Sequence, residues 1–227
     1  MLSKINRYFI PKLVTKRVRN LFLAAEKKKR IHTEKSIEKV RLASKHISNC
    51  ELLLDRSDLL IKLKENAVVG EIGVANGDFT EQIIEKTQPE KLHLIDNWDK
   101  EKYNDEMYKN VRSKFSDHIK NKKVIIHRKL STEVVDEFPD NYFDWIYLDT
   151  SHRYQLTKEE LFKYSDKVKP GGIISGHDYS MGNWVNAVRY GVIEATHEFC
   201  VKYDWELIYL TVEPIENQSF ALRKIKP

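Results

Sequence analysis

Short apolar runs and longer amphipathic segments alternate along this chain from residue 67 to residue 203. The strand-like runs are 67–73, 91–96, 123–128, 143–149 and 171–177, and the helical segments lie near 79–87, 101–121, 156–168 and 184–203. Because a strand that is followed by a crossover helix pairs in parallel with another strand, this order predicts a parallel sheet with helices on both faces.

The two ends of the chain depart from this alternation. Residues 205–212 and 219–225 are strand-like and are joined by residues 213–217, the length of a hairpin loop, so they predict an antiparallel pair at the edge of the sheet. Residues 36–63 are rich in leucine and isoleucine and are predicted to form one or two helices that cover the sheet or the site. We therefore divide the chain into an N-terminal helical extension, residues 1–64, and an α/β domain, residues 65–227.

The positive charge of the chain is concentrated at its N-terminus. Residues 1–45 hold 14 Lys and Arg against 3 Glu, whereas the remaining residues hold 25 against 31 Asp and Glu. Apolar residues from Tyr8 to Phe22 recur at helical spacing among the cations, with Pro11 near the start, which predicts a cationic amphipathic helix. This helix could attach to an acidic membrane surface, a nucleic acid or an acidic partner. It could equally pack its apolar stripe on its own domain or on a second subunit in a homo-oligomer.

Composition excludes several classes of protein. Hydrophobic residues make up 41% and charged residues 32%, with 8 Gly and 6 Pro, so the chain is neither collagen-like nor a disordered low-complexity protein. No apolar run near the N-terminus has the length of a secretory signal or a membrane span, so we expect a cytoplasmic protein, with peripheral contact at the inner membrane surface as one option. Cys50 and Cys200 match no metal-site spacing and are expected to be buried thiols.

The most informative stretch is residues 68–80, where a strand runs into a turn with glycines at 73 and 77 and then into a helix. Such a turn lets the backbone approach a ligand closely at the carboxyl ends of the strands. The G-x-x-x-G spacing is not the dinucleotide fingerprint and the Walker lysine is absent, which disfavours pyrophosphate. Glu71, two residues before the first glycine, would repel phosphate but could orient a cationic amino group.

A second acidic residue, Asp96, ends the next strand 25 residues after Glu71. A carboxylate at this place can accept hydrogen bonds from two ribose hydroxyls. Together the two acids fit an adenosyl amino acid better than a dinucleotide.

These residues resemble the first two motifs of the class I S-adenosylmethionine-dependent methyltransferases, and the resemblance covers about residues 65–225. It implies a Rossmann-like fold, an open, twisted, mostly parallel seven-stranded sheet with an antiparallel C-terminal edge hairpin. It also implies S-adenosylmethionine as the cofactor. The residues implied to bind it are Glu71, Gly73, Ala75, Asn76 and Gly77 at the methionyl part, Asp96 at the ribose, Asn97 and Trp98 at the ribose and adenine, Ser131 at the adenine, and Asp149. For Ser131 an ordinary helix N-cap is an alternative.

The ends of two further predicted strands resemble a smaller group within this family. Residues 143–154 end a strand in Asp149 and continue to His152 and Tyr154, and residues 169–179 contain Gly171-Gly172 and end a strand in His177-Asp178-Tyr179. This resembles the D-x-x-H-x-Y and P-G-G-x-x-x-G-H-D-Y motifs of small O-methyltransferase-like proteins, which include relatives that act on sugars and antibiotics. The resemblance implies methyl transfer to a hydroxyl of a small molecule or a glycan.

The chemistry of such a transfer requires an oriented acceptor oxygen that loses its proton. Asp149 and Asp178 could hold Mg²⁺ or another divalent cation that lowers the pKa of the acceptor. Alternatively, His152 or His177 could take the proton directly, because imidazole titrates near neutral pH. Ser151 stands where magnesium-using relatives often have a second Asp, which weakens the metal interpretation, and both remain open here.

Two other functional classes compete with this interpretation. A nucleic-acid methyltransferase would use the basic N-terminus as its phosphate contact, but the rest of the chain is acidic and no N-P-P-Y type motif follows the strand at 143–149. A non-catalytic module that binds the cofactor would be expected to lose its polar residues at the strand ends, and here they remain.

Overall fold

The computed structural model describes residues 12–183, 185 and 188–226, with side chains from residue 16 onward. The chain divides into two compact units between Glu38 and Lys39. Residues 8–11 of the predicted N-terminal helix, with Pro11, lie outside the described residues, as does Trp184 in the predicted 184–203 helix.

The first unit contains helix α1, Lys12–Ser36. Nine of its 25 residues are Lys or Arg and two are Glu, with no acidic residue in its first turn and Lys35 in its last turn. The predicted cationic helix is therefore present in the described part of this unit. No helix among the described residues is long and apolar enough to cross a membrane.

The second unit is an α/β domain. Its strands are β1 (Glu51–Leu53), β2 (Val68–Ile72), β3 (Lys91–Ile95), β4 (Val124–His127), β5 (Phe143–Leu148), β6 (Val168–Gly176), β7 (Gly182–Asn183), β8 (Val188–Arg189), β9 (Trp205–Thr211) and β10 (Phe220–Lys224). Its α-helices are α2 (Arg56–Lys62), α3 (Asp78–Thr87), α4 (Asp105–Lys114), α5 (Ser116–Lys120), α6 (Ser131–Val134), α7 (Tyr154–Ser165) and α8 (Val192–Tyr203), and short 3-10 turns span Ser44–His46 and Val135–Glu137.

The main sheet has the strand order β1-β9-β10-β6-β5-β2-β3-β4. Among the described strands of this sheet, β10 alone runs antiparallel to both of its neighbours, β6 and β9. The predicted mostly parallel, Rossmann-like sheet with an antiparallel C-terminal hairpin is confirmed. A separate small hairpin, β7-β8, precedes α8.

One strand was not predicted. β1 pairs in parallel with β9, from Glu51 opposite Tyr209 to Leu53 opposite Thr211, and so takes the edge position that we expected for the C-terminal hairpin. The prediction that residues 36–63 are only helical is therefore wrong, because this three-residue strand depends on a partner more than 150 residues away and leaves no periodic pattern. The structure divides the chain after Glu38 and not after residue 64, so residues 39–64 belong with the sheet.

Two predicted helices also differ from those observed. The 101–121 segment forms α4 and α5, which are separated at Phe115, where the backbone leaves the helical conformation. In the predicted 184–203 helix, Val188–Arg189 is a strand, and the described helix α8 begins at Val192. Just before it, a Cβ on Gly191 would lie 2.4 Å from the Cβ of Tyr154, so the glycine allows close passage between the start of α7 and that of α8.

The main core lies between one face of the sheet and helices α2, α3 and α4. Leu60, Ile83 and Val111 from these helices are fully buried against strand residues that include Leu94 and Trp145. Burying each such side chain contributes about 1.5–3 kcal/mol. This packing fixes the strand ends that carry the site.

Candidate active site

Four adjacent strands end together at one edge of the sheet. Ile72 at the end of β2 is paired with Ile95 of β3 and with Leu148 of β5, and Leu148 is paired in turn with Gly176 of β6. The residues that follow these strands therefore emerge side by side. A cavity of about 280 Å³ opens at this edge.

The glycine-rich turn after β2 is shaped by contacts that only glycine permits. Gly73 has φ +93°, and a Cβ there would lie 2.0 Å from the backbone oxygen of Asp149. Gly77 has φ +76° and precedes α3, and a Cβ there would lie 2.7 Å from Cε2 of Phe115. The turn is thus held against β5 and α4, and Gly73, Ala75 and Asn76 line the cavity.

Asp96 holds the turn in place and also lines the cavity. Its Oδ2 accepts hydrogen bonds of 3.0 Å from the backbone N–H groups of Val74 and Ala75, and its Oδ1 accepts one of 3.2 Å from Trp98. Each carboxylate oxygen can accept a further hydrogen bond, so the geometry is compatible with ribose binding. Asn97 lines the cavity beside it.

Trp98 has a different place from the one expected. Its side chain is 1% exposed and is not among the described residues that line the cavity. The Nε1–H donates to the carbonyl of Ala75 at 2.9 Å, and the ring packs against Tyr108. Trp98 therefore supports the turn from behind, which corrects the expected contact with ribose and adenine. Gly77 likewise shapes the turn without lining the cavity.

Glu71 lies beneath the turn and is 1% exposed. Its Oε2 accepts a 2.6 Å hydrogen bond from the hydroxyl of Thr80. Burial, with the charges of Asp149 and Asp96, raises the pKa of Glu71 to about 8 against the opposing effect of the Thr80 hydrogen bond. A cationic amino group placed in the cavity would favour the ionised form, in line with the role expected for Glu71.

The wall formed by Ser131 and Thr150 contains a residue that the sequence analysis missed. The hydroxyls of Ser131 and Thr150 both donate to the carboxyl group of Glu160 on α7, at 2.5 and 2.8 Å. Glu160 is 1% exposed, and burial raises its pKa to about 7 despite these hydrogen bonds. The available signal was its position three residues after Thr157 and four before Tyr164, on the buried face of the helix.

Asp149, His152, His177 and Asp178 lie together at the ends of β5 and β6, as the sequence predicted. Nδ1 of His152 is 2.9 Å from Oδ2 of Asp178 and 4.0 Å from Oδ1 of Asp149. Nδ1 of His177 is 3.6 Å from Oδ1 of Asp178 and 3.8 Å from Oδ2 of Asp149. Asp149 and His152 line the main cavity, and His177 and His152 line a small adjoining pocket.

The two carboxylates differ in their electrostatic surroundings. Burial raises the pKa of Asp149, with the nearby histidines opposing that effect. The pKa of Asp178 is held well below its usual range, because hydrogen bonds from His152 and His177 outweigh its burial. For His177, burial lowers the pKa, but the hydrogen bond with Asp178 and the charge of Asp149 outweigh it and raise the pKa overall.

The loop between β9 and β10 contacts this group of two aspartates and two histidines, and the sequence did not indicate that contact. Asn217 donates a short hydrogen bond to Oδ1 of Asp178. Glu216 places Oε2 3.9 Å from Nε2 of His177, a buried atom with no hydrogen-bond partner among the described residues. Glu216 also forms an ion pair with Arg56, a cavity-lining residue that the sequence did not indicate.

The same group offers a donor set for a cation. Asp149, His152 and Asp178 each present one ligand atom, and these atoms lie within 4.8 Å of one another. Two carboxylate oxygens and one imidazole nitrogen suit a divalent metal. However, both oxygens of Asp178 already receive hydrogen bonds, from His152 and from Asn217.

Comparison with known proteins identifies the domain. Residues 71–179, from Glu71 to Tyr179, match a family profile described as a methyltransferase domain. By this match, residues 71–179 are a methyltransferase domain. All the expected site residues of this methyltransferase lie within the matched segment. No curated protein matches the chain in sequence.

Solved structures show the same fold. The O-methyltransferase TomG of Streptomyces achromogenes, solved with S-adenosylmethionine, is 16% identical with a TM-score of 0.57 over 76% of this chain and 80% of TomG. A candidate rRNA methylase of Clostridium thermocellum is 18% identical with a TM-score of 0.54 over 75% of this chain and 95% of its own. Spermidine synthase of Thermotoga maritima is 15% identical with a TM-score of 0.51, over 75% of this chain and 57% of its own.

The sequence motifs imply S-adenosylmethionine as the cofactor, and TomG was solved with that molecule. The cavity fits that molecule in its chemistry. The glycine-rich turn and Glu71 stand where a methionyl group would need backbone donors and an acid, and Asp96 and Ser131 line the part beyond.

Proposed function

We propose that this methyltransferase transfers the methyl group of S-adenosylmethionine to a hydroxyl of a small molecule or a sugar, with His152 as the general base. The observation that carries the proposal is the 2.9 Å contact between Nδ1 of His152 and Oδ2 of Asp178 at the cavity wall. With Asp178 ionised, this contact places the proton of a neutral imidazole on Nδ1 and leaves Nε2 to accept a proton.

S-adenosylmethionine supplies an electrophilic methyl group when it is bound. His152 Nε2 would accept the hydroxyl proton of the acceptor, and Asp178 would stabilise the resulting imidazolium. The acceptor oxygen would bond to the methyl carbon as the bond between that carbon and the cofactor sulfur breaks, which releases S-adenosylhomocysteine. Tyr190 packs against the His152 ring, with centroids 4.8 Å apart, and helps to hold its orientation. Asp149, partly exposed at the same wall, is placed to orient the acceptor hydroxyl.

A hydroxyl acceptor needs a general base such as His152, because a hydroxyl holds its proton tightly and is a weak nucleophile until that proton is removed. A small acceptor is favoured because the site lies in a cavity at the strand ends and the chain beyond residue 45 carries more acidic than basic residues. The main competing proposal is that Asp149, His152 and Asp178 bind Mg²⁺ or another divalent cation that lowers the pKa of the acceptor. A nucleic-acid acceptor, with α1 as the phosphate contact, is the alternative substrate class.

The test measures transfer of a labelled methyl group to hydroxylated small molecules, sugars and RNA, in excess chelator and with added magnesium. For the wild type we expect turnover on a non-nucleic acceptor in chelator. For His152→Gln we expect kcat lower by about 10²- to 10⁴-fold with unchanged affinity for S-adenosylhomocysteine, and for His32→Gln, on α1, no change.

Three results would contradict the proposal. Activity that is lost in chelator and restored by magnesium would favour the cation. Transfer to RNA alone would favour the nucleic-acid class. Tight binding of S-adenosylmethionine without turnover on any acceptor would favour a non-catalytic binding module.

A further inference from the structure

Arg56, the first residue of α2, lines the cavity. Its guanidinium lies 4.8 Å over the ring of Phe79 in the first turn of α3. Its Nε is 2.9 Å from Oε2 of Glu216 and its Nη2 is 3.1 Å from Oε1, so the two side chains form a two-point ion pair. The Arg56 side chain is 20% exposed, so this cation is held in a partly desolvated place.

Among the described residues that line the cavity, three are Lys or Arg: Arg56, Lys100 and Lys129. Lys100 follows β3 and Lys129 follows β4, the outer strands on the Asp96 side. Arg56 instead lies beside Phe79, in the first turn of the helix after the glycine-rich turn, and its charge acts on both Glu71 and Asp149. Arg56 is therefore the basic residue of the methionyl end of the cavity.

The methionyl end of the cofactor carries one ammonium and one carboxylate. Glu71 suits the ammonium, but an acid gives no favourable contact to the carboxylate. An arginine fork donates two parallel hydrogen bonds to a carboxylate, and such charge-assisted bonds are about twice as strong as neutral ones. Arg56 supplies such a fork in this half of the cavity, and Glu216 is the carboxylate that occupies it.

We propose that Arg56 binds the α-carboxylate of S-adenosylmethionine and that the cofactor displaces Glu216 from it. This inference rests on the proposed function, because it takes S-adenosylmethionine as the ligand. Glu216, once released, has a second partner nearby: Nε2 of His177 lies 3.9 Å from its Oε2 and is buried without a hydrogen-bond partner in the described part of the chain.

The exchange of Glu216 from Arg56 to His177 couples the cofactor side of the site to the acceptor side. The residue after Glu216, Asn217, donates to Asp178, and Asp178 is the partner of His152. Moving Glu216 from Arg56 to His177 would therefore draw the β9-β10 loop against the acceptor side only when the cofactor carboxylate is present. Arg56 thus binds the cofactor directly, whereas Glu216 acts through the position of the β9-β10 loop.

The test is isothermal titration calorimetry with S-adenosylmethionine and with its decarboxylated analogue, which lacks only the carboxylate. For Arg56→Gln we expect affinity for S-adenosylmethionine to fall by about 10- to 100-fold, with less than about a threefold change for the decarboxylated analogue. Glu216→Gln removes the competing carboxylate and should tighten S-adenosylmethionine binding by about 3- to 10-fold, again without effect on the analogue.

Lys62→Gln is the matched control, since it removes one cation from the same helix at a residue paired with Glu51 and outside the cavity lining. Equal losses for both ligands in Arg56→Gln, or unchanged binding of S-adenosylmethionine, would overturn the inference. If Arg56→Gln is too unstable to measure, Glu216→Gln tests the inference independently. Weaker or unchanged binding of S-adenosylmethionine in Glu216→Gln would also overturn the inference. A wild type that binds neither ligand would instead refute the proposed function, and the inference with it.

Discussion

The indole Nε1 of Trp98 donates a 2.9 Å hydrogen bond to the backbone carbonyl of Ala75, which joins the third residue after β3 to the middle of the glycine-rich turn. Both residues have positive φ, +45° for Trp98 and +49° for Ala75. The turn is therefore held in a conformation that non-glycine residues rarely adopt, and the buried indole is one of the contacts that maintains it.

Replacing Trp98 by Phe should weaken cofactor binding without removing any contact to the cofactor. The variant keeps a ring in the core but leaves the Ala75 carbonyl without its donor, so we expect about a 3- to 10-fold loss of affinity for S-adenosylhomocysteine by calorimetry. Trp145→Phe is the matched control, since its Nε1 donates to the carbonyl of Lys64, away from the cavity. Equal losses of affinity in both variants would show that the Trp98 effect is only general destabilisation.

Replacing Asp96 by Ala should have a larger effect, because the carboxylate accepts three backbone hydrogen bonds and faces the proposed ribose position. Hydrogen bonds to a charged group contribute about 1.5–3 kcal/mol each, so we expect affinity for S-adenosylhomocysteine to fall by at least about 100-fold in a protein that still folds. Asp144→Ala is the control, because that carboxylate also accepts a backbone N–H, from Val68, but lies at the opposite end of the strands. Unchanged affinity in a folded Asp96→Ala protein would remove Asp96 from the site.

The stability of the domain should fall in mild acid because of a histidine in the sheet. His93 is 4% exposed, contacts His127 and Tyr142, and has its pKa lowered to about 3 by burial and by the charges of His127 and Lys91. Since the unfolded chain binds this proton at a higher pH than the folded one, the stabilisation is complete above pH 6.5. It is lost as the pH falls toward 3, by about 1.4 kcal/mol per pH unit.

The measurement is urea unfolding of the wild type and His93→Gln between pH 7 and pH 5. We expect a flatter dependence of the free energy of unfolding on pH in the variant, and no flattening in His32→Gln, which removes an exposed imidazole on α1. Parallel curves for wild type and His93→Gln would show that His93 is not the group responsible.

Deleting residues 1–38, the first unit, tests the role of the basic extension. Because its charge is opposite to that of the rest of the chain, we expect it to dock on an acidic surface of its own domain or of a second subunit. The truncated protein should then show a lower melting temperature or fewer subunits per particle by light scattering. An unchanged melting temperature and subunit number, together with lost binding to anionic vesicles or nucleic acid, would favour the membrane or nucleic-acid interpretation.

The sequence by itself determined the order of strands and helices, the glycine-rich turn and the acids that follow the strands. These follow from local rules: a strand-turn-helix with Gly73 and Gly77 can be read along the chain, and Asp96, Asp149 and Asp178 stand directly after apolar runs. Parallel pairing then places all strand ends at one edge, so the cluster of Asp149, His152, His177 and Asp178 could be predicted without coordinates.

Only the tertiary structure decided which groups face the cavity and which hold it from behind. Trp98 and Ser131 stand at positions that the resemblance assigned to the cofactor, yet Trp98 turns into the core and the hydroxyl of Ser131 is bound to the buried Glu160. The site also includes residues from two segments that are more than 150 residues apart. Arg56 comes from α2, and Glu216 and Asn217 come from the β9-β10 loop, which has no recognisable motif. Their contacts depend on side-chain direction and long-range packing, and neither has a period along the sequence.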